Sequence, residues 1–210
     1  MQNNLIIGDE WRKNVVKTAF EFANMLWTPT EKNLYHGYDE DGVLVNTPDI
    51  SYAGVKYDKC GWWRVGEPNQ GMAYNWGGIC TVEEFQIAIS EGKYAGNVPD
   101  SREHKRSQQC VGVDCSGLVT MCWRLTKKYS TGNLPSVSSK LDTTDSLLSG
   151  DILLLPGSHA MIFIEFTDDT KLFAQIIDAT RSTGKVSLRI VEIAELVKEG
   201  YSGYYYDFSK

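Results

Sequence analysis

The stretch Val113-Asp114-Cys115-Ser116-Gly117-Leu118-Val119 places a cysteine where a loop enters a helix. Apolar residues recur at helical spacing after it, so we predict a helix over residues 115–128. A thiol at a helix start lies near unpaired N–H groups and the positive end of the helix dipole, and both favour the thiolate. Cys115 is therefore a candidate nucleophile, although a small buried hydrophobic residue would fit the same position.

A nucleophilic cysteine needs a base, and the chain has three histidines. His36 and His104 lie in polar stretches, where we predict solvated surface residues. His159 opens an apolar strand directly after Pro156-Gly157-Ser158, and a sheet end of this kind can present an imidazole rigidly. We predict that His159 is the base, and the alternative is a histidine that only begins a strand.

A third polar group is expected to orient the imidazole and to fix its tautomer. Asp178 follows an apolar strand and would lie beside His159 if the two strands paired as a hairpin. Gln175 is an alternative for this role. An aspartate at a strand end can also be an ordinary polar residue without a functional role. The spacing leaves the choice between Asp178 and Gln175 open.

Composition narrows the class of protein. The 210 residues carry a net charge of -6, and the longest basic stretch is His104-Lys105-Arg106, so a nucleic-acid partner is not predicted. No run approaches the ~20 apolar residues of a membrane span. The five cysteines form no Cys-x-x-Cys pair and have no histidine at zinc spacing, so no metal is predicted. The first nine residues lack a signal-peptide pattern, and the compartment stays open.

Hydrophobic periodicity and turn signals give the element order of an α+β protein. A helix is predicted over residues 9–26, and Thr81 and Glu84 resemble a capping box that begins a second helix over 82–91. After residue 128 the pattern changes to strands, with one more short helix. The predicted strands cover 152–155, 159–166, 172–179, 186–191 and 201–208, and the short helix covers 193–198.

Three further stretches accompany the one around Cys115. The chain carries Tyr74-Asn75-Trp76-Gly77-Gly78 before it, then Ser149-Gly150-Asp151-Ile152-Leu153 and His159-Ala160-Met161-Ile162-Phe163-Ile164 after it. Together they resemble the NlpC/P60 cysteine peptidases, papain-like bacterial enzymes that cut cell-wall peptides. The pattern of that family runs Y-x-W-G-G, D-C-S-G-L-V, G-D-L and H-V-G-I-Y. The resemblance covers roughly residues 10–28, 70–80 and 111–208.

The resemblance implies a catalytic triad of Cys115, His159 and Asp178, and the family usually carries a histidine at the last position. An aspartate there can hold the imidazole and stabilise its charged form. We predict that no metal and no organic cofactor takes part.

The resemblance further implies roles for residues around the nucleophile. Tyr74 would assist the oxyanion site and substrate binding. Asp114 and Ser116 would lie near the free amino end of the substrate, where a carboxylate suits an ammonium. Without the resemblance, Tyr74 and Trp76 would be interpreted as aromatic core.

The resemblance implies an α+β, papain-like NlpC/P60 fold, with the catalytic helix packed on an antiparallel sheet of about five strands. We expect a single catalytic domain over residues 1–210. Two stretches, about 35–68 and 79–112, are longer than the family pattern and count as insertions. They lie where substrate walls would be, so the specificity is open.

The predicted activity is hydrolysis of amide bonds in peptidoglycan stem peptides, of the γ-D-glutamyl–diamino acid type. An amidase or acyltransferase acting on a lipid or small amide is one alternative, and a large apolar groove lined by the insertions would favour it. A non-catalytic binding module is the other alternative. The joint presence of Cys115, His159 and Asp178 argues against this alternative, because a dead site would be free to lose any of them.

Overall fold

The computed structural model describes residues 2–52, 61–99 and 105–210. The four helices are α1 (Gln2–Asn24), α2 (Val82–Ser90), α3 (Cys115–Cys122) and α4 (Ile193–Lys198) in these ranges. The strands of the first half are β1 (Leu26–Trp27), β2 (His36–Tyr38), β3 (Leu44–Asn46), β4 (Asn69–Gln70), β5 (Tyr94–Ala95) and β6 (Cys110–Val111). Those of the second half are β7 (Ser138–Lys140), β8 (Ile152–Leu155), β9 (His159–Phe166), β10 (Phe173–Thr180), β11 (Lys185–Glu192) and β12 (Ser202–Tyr206).

The chain divides into two compact units. The first unit consists of residues 1–20, 118–178 and 188–210, and the second of residues 21–117 and 179–187. Both stretches interpreted as insertions, about 35–68 and 79–112, fall within the second unit. Whether the chain acts as a single catalytic domain stays a prediction. No helix in the described ranges has the length and apolar character needed to cross a membrane.

A six-stranded sheet in the order β11-β10-β9-β8-β12-β7 gives the protein its α+β class. β9 pairs antiparallel with β10 and with β8, and β12 pairs antiparallel with β8 and with β7. The sequence predicted about five strands and missed β7. Its residues Ser-Ser-Lys carry no apolar alternation, and they are extended because they pair with Tyr204–Tyr206 of β12.

Alternating side chains of the sheet form the core of the first unit. Met161 and Phe163 on β9 lie on the same face as Ala174 and Ile176 on β10, since successive strand residues point to opposite faces. Helix α4 covers this face with Ile193, and Leu196 packs against the same cluster. This face of the sheet is therefore an apolar layer that α4 covers.

In the described residues, the second unit contains three short strand pairs and helix α2. β1 pairs with β4, β2 with β3, and β5 with β6. Helix α2 begins as predicted, because the Thr81 side chain accepts from Glu84 N–H and the Glu84 carboxylate accepts from Thr81 N–H. The capping box is thus confirmed. Trp27 packs edge-on against Phe85 of this helix, with ring centroids 5.1 Å apart.

Helix α3 is shorter than the predicted span of 115–128, because it ends at Cys122. Arg124 adopts a positive φ of 54°, which a continuing right-handed helix does not allow. Leu125 N–H then returns to the carbonyl of Thr120 at 3.0 Å. The lysines at positions 127 and 128 therefore follow the helix and do not lie in its last turn.

Candidate active site

In the first unit, His159 is the first residue of β9 and follows the hairpin turn from β8. Pro156-Gly157-Ser158 forms the connection, Gly157 has a φ of 76°, and Leu155 pairs with His159 across the turn. A side chain at Gly157 would meet no atom within 4 Å, so the left-handed backbone is the reason for glycine at this position. The turn holds the imidazole at the end of a buried strand, with 18% of its side chain exposed.

Asp178 stands beside this imidazole on the neighbouring strand β10. His159 Nε2 lies 2.8 Å from Asp178 Oδ2. Arg189, on β11, donates from Nε to Oδ1 at 3.0 Å and from Nη2 to Oδ2 at 2.6 Å. The structure therefore brings Asp178, and not Gln175, to His159, and it adds an arginine on the far side of the carboxylate.

The electrostatics of this cluster favour an ionised Asp178, whose side chain is 0% exposed. Burial would raise the pKa of Asp178, but the hydrogen bonds from His159 and Arg189 outweigh burial and hold the pKa below its usual range. Burial likewise would lower the pKa of Arg189, and Asp178 raises it. The carboxylate is a permanent anion at neutral pH and can orient the imidazole.

In the second unit, Asp114 begins the helix that carries Cys115. Its Oδ1 accepts from the Gly117 N–H at 2.6 Å and from the Ser116 hydroxyl at 2.9 Å, which is the arrangement of an N-cap. Its Oδ2 accepts from the Gly77 N–H at 3.0 Å. One side chain therefore caps α3 and ties the Gly77-Gly78 turn to the helix start.

Close backbone approach explains the glycine in this motif. A Cβ added at Gly117 would lie 2.1 Å from the carbonyl oxygen of Gly78, far inside van der Waals contact. The extended chain just before this turn also pairs with the residue before Asp114, since Asn75 N–H donates to the Val113 carbonyl at 3.0 Å. The Tyr74–Gly78 stretch and the Cys115 stretch are thus one packed local structure.

The predicted site residues of the second unit are largely enclosed. Cys115 is 9% exposed, Ser116 4% and Tyr74 3%. Asp114 accepts its hydrogen bonds from Gly77, Ser116 and Gly117 of the protein itself. Its role toward a substrate amino group stays a prediction. Cys115 belongs to the second unit and His159 to the first, so the pairing of thiol and imidazole also stays a prediction.

The remaining cysteines and histidines differ from Cys115 and His159 in their surroundings. Burial raises the pKa of Cys80 and of Cys110 to about 12, which makes both thiols poor nucleophiles. His36 is exposed, as predicted for a surface residue, and it also lies 2.8 Å from the buried carboxylate of Asp49. Cys60 and His104 lie outside the described residues.

Sequence reasoning missed Arg189. The signal was present, because an arginine interrupts the apolar run Leu188-Arg189-Ile190-Val191 of a predicted strand. A charged residue in such a run faces the same side as its neighbours two positions away, and here Val191 packs against the core. The sequence alone does not show that Asp178 lies on the adjacent strand, so it does not reveal the counter-ion of Arg189.

A separate groove of about 660 Å³ lies in the first unit. Helix α1, strands β9 and β10 and the loop before β8 line it, and neither insertion contributes. The lining residues are Asp9, Arg12, Lys13, Val16, Lys17, Phe20, Leu148, Ser149, Ile164, Glu165 and Gln175. It is therefore not the insertion-lined groove that would favour an acyltransferase.

The second unit contains a capped, thiol-bearing helix start, and the first unit contains an oriented imidazole. Comparison with protein-family models, with curated proteins and with solved structures found no match. Within the described ranges, no group of three or more His, Cys, Asp or Glu side chains is arranged to hold a metal ion.

Proposed function

We propose that the protein is a cysteine hydrolase that cleaves amide bonds in bacterial cell-wall peptides, of the γ-D-glutamyl–diamino acid type. The observation that carries the proposal is the hydrogen bond of 2.8 Å between His159 and the fully buried carboxylate of Asp178. Because this bond engages Nε2, we give Nδ1 of the imidazole the role toward the nucleophile. The order of the sequence motifs supports the choice of substrate.

The proposed reaction follows from these roles. His159 accepts the proton of Cys115, and the thiolate attacks the amide carbonyl carbon. N–H groups at the start of α3 stabilise the resulting oxyanion. Protonated His159 gives its proton to the amine as the C–N bond breaks, which leaves a thioester. His159 then removes a proton from water, and the hydroxide attacks the thioester carbonyl carbon. The C–S bond breaks, which releases the carboxylic acid and the Cys115 thiolate, and the thiolate takes the proton back from His159.

Thiol reactivity tests the nucleophile and its base. At pH 6 we expect iodoacetamide to modify Cys115 at least ~10-fold faster than Cys80 or Cys110, whose pKa values of about 12 keep them protonated. The rate is followed by mass spectrometry of peptides. His159→Ala is expected to remove this advantage, and His36→Ala, the matched control, is expected to retain it. Equal reactivity of the three thiols in the wild type would refute the assignment.

The substrate class is tested with purified muropeptides. The wild type is expected to release the diamino acid portion, detected by mass spectrometry, and Cys115→Ala is expected to release none. A reactive Cys115 together with intact muropeptides would retain the cysteine hydrolase and overturn the cell-wall substrate.

A further inference from the structure

We propose that Arg189 is a positioning residue that shares the Asp178 carboxylate with His159 and limits how firmly that carboxylate holds the protonated imidazole. The inference deepens the proposed function and rests on it for its catalytic meaning. The arrangement itself is a row of three side chains from the consecutive strands β9, β10 and β11.

Geometry makes the two cationic groups competitors. Arg189 Nη2 and His159 Nε2 both reach Oδ2 of Asp178, at 2.6 and 2.8 Å. The second guanidinium nitrogen holds Oδ1 at 3.0 Å. With a neutral imidazole the cluster contains one anion and one cation. With a protonated imidazole two cations converge on a single carboxylate oxygen.

Burial makes this competition strong. Asp178 is 0% exposed, so solvent screens its surroundings poorly, while Arg189 is 36% exposed at the outer side. A carboxylate with no other partner strongly favours imidazolium, and an arginine on the same carboxylate reduces that preference. The bidentate fork also fixes the carboxylate plane, which fixes the direction of the hydrogen bond to His159.

The other groups facing the imidazole do not replace Arg189. The aromatic ring of Tyr201, between α4 and β12, lies edge-on to His159 with centroids 6.4 Å apart. On the proposed function, Cys115 is a further titratable neighbour. Of the charged side chains that the structure places on this carboxylate, Arg189 supplies the permanent positive charge.

The consequence for the reaction concerns both proton transfers. An imidazolium held less firmly is a stronger acid toward the departing amine. The neutral imidazole also persists to lower pH, where it can still activate water. Arg189 would thus shift the working range of the base toward acid without contacting the substrate.

The test follows the pH titration of the His159 ring Cε1–H by NMR, in which His159→Gln assigns the signal among three histidines. In Arg189→Met we expect the titration midpoint to rise by about one pH unit or more. Arg189→Lys keeps the charge but loses the fork, and we expect a rise of about half that size. Arg12→Met is the matched control, because Arg12 pairs with the buried Asp151 at 2.6 Å and not with Asp178.

An unchanged midpoint in a folded Arg189→Met protein would overturn the proposal. If that variant fails to fold, an unchanged midpoint in Arg189→Lys would overturn it instead. A rise equal to that of Arg12→Met would show a general effect of destabilisation and would also overturn it. The readout needs no activity, so a shifted midpoint with an unreactive Cys115 would retain the Arg189 coupling and refute the proposed hydrolase.

Discussion

At the scale of single residues, the Asp178 carboxylate combines a structural and a chemical task. It joins three neighbouring strands through hydrogen bonds to His159 and Arg189, and it is buried. Removing such a carboxylate leaves a guanidinium without its counter-ion, which costs stability. Its loss also frees the imidazole to rotate, which affects catalysis on the proposed function.

Asp178→Asn is therefore expected to lower kcat on muropeptides by about 10²–10⁴-fold, with little change in KM, because the amide no longer stabilises protonated His159. Steady-state kinetics measure this split. Asp151→Asn removes another buried carboxylate that pairs with an arginine, and we expect it to lower stability without lowering kcat. A similar fall in kcat for both variants would contradict the role given to Asp178.

The residue scale also shows where sequence reasoning ended. The sequence alone indicates His159, which a turn and an apolar strand mark, and Asp178, which an apolar strand marks. The choice between Asp178 and Gln175 depended on strand register, and β10 contains a shift in register between Gln175 and Ile176. A pattern of alternating residues cannot reveal such a shift, since it arises from pairing with β9.

At the scale of elements, the start of α3 depends on a glycine that touches another backbone. Gly117→Ala would place a Cβ 2.1 Å from the Gly78 carbonyl oxygen, so the helix and the turn must separate. We expect a loss of roughly 1–3 kcal/mol in the free energy of unfolding, measured by chemical denaturation. We also expect slower alkylation of Cys115, since the displaced helix start would no longer stabilise its thiolate.

Gly132→Ala provides the control for this prediction. An added Cβ at Gly132 would have its nearest neighbour at 3.7 Å, an ordinary contact, so stability should be unchanged or slightly higher. An equal stability of Gly117→Ala and wild type would show that the helix start tolerates a side chain there.

Elements with strong local signals were well predicted. β8 and α4 match the predicted 152–155 and 193–198, and α2 begins at its capping box. The short pairs β1–β4, β2–β3 and β5–β6 were not predicted, because strands of two or three residues carry no period. Their conformation depends on partners that are distant in the sequence, such as Leu26 with Gln70.

At the scale of the whole molecule, each unit contains a buried carboxylate with a lowered pKa. Burial would raise the pKa of Asp49, but hydrogen bonds from His36, Ser51 and Thr47 lower it from 3.8 to about 2. The pKa of Asp178 is lowered as well. A carboxylate with a lowered folded-state pKa stabilises the protein above its unfolded pKa and loses this contribution as the pH falls.

We therefore expect the free energy of unfolding to be lower at pH 2.5 than at pH 5, in denaturation followed by circular dichroism. Asp49 alone contributes about 2 kcal/mol, lost between roughly pH 4 and pH 2. The hydrogen bond to Asp49 raises the pKa of His36, so its contribution to stability is present below the unfolded-state pKa and is lost as the pH rises through the folded-state pKa. For this reason pH 5 is a suitable reference. Asp49→Asn should show a smaller acid loss, and an identical loss in both proteins would contradict this assignment.

The fork between Arg189 and Asp178 has an evolutionary consequence. Replacing Asp178 alone leaves the Arg189 guanidinium without its counter-ion, and replacing Arg189 alone changes how firmly the carboxylate holds His159, so the two positions are expected to covary among related chains. A lineage that places a histidine or asparagine at position 178 would have no use for arginine at position 189. This constrains the order in which substitutions arise. A change at both positions is tolerated more readily than a change at one position alone.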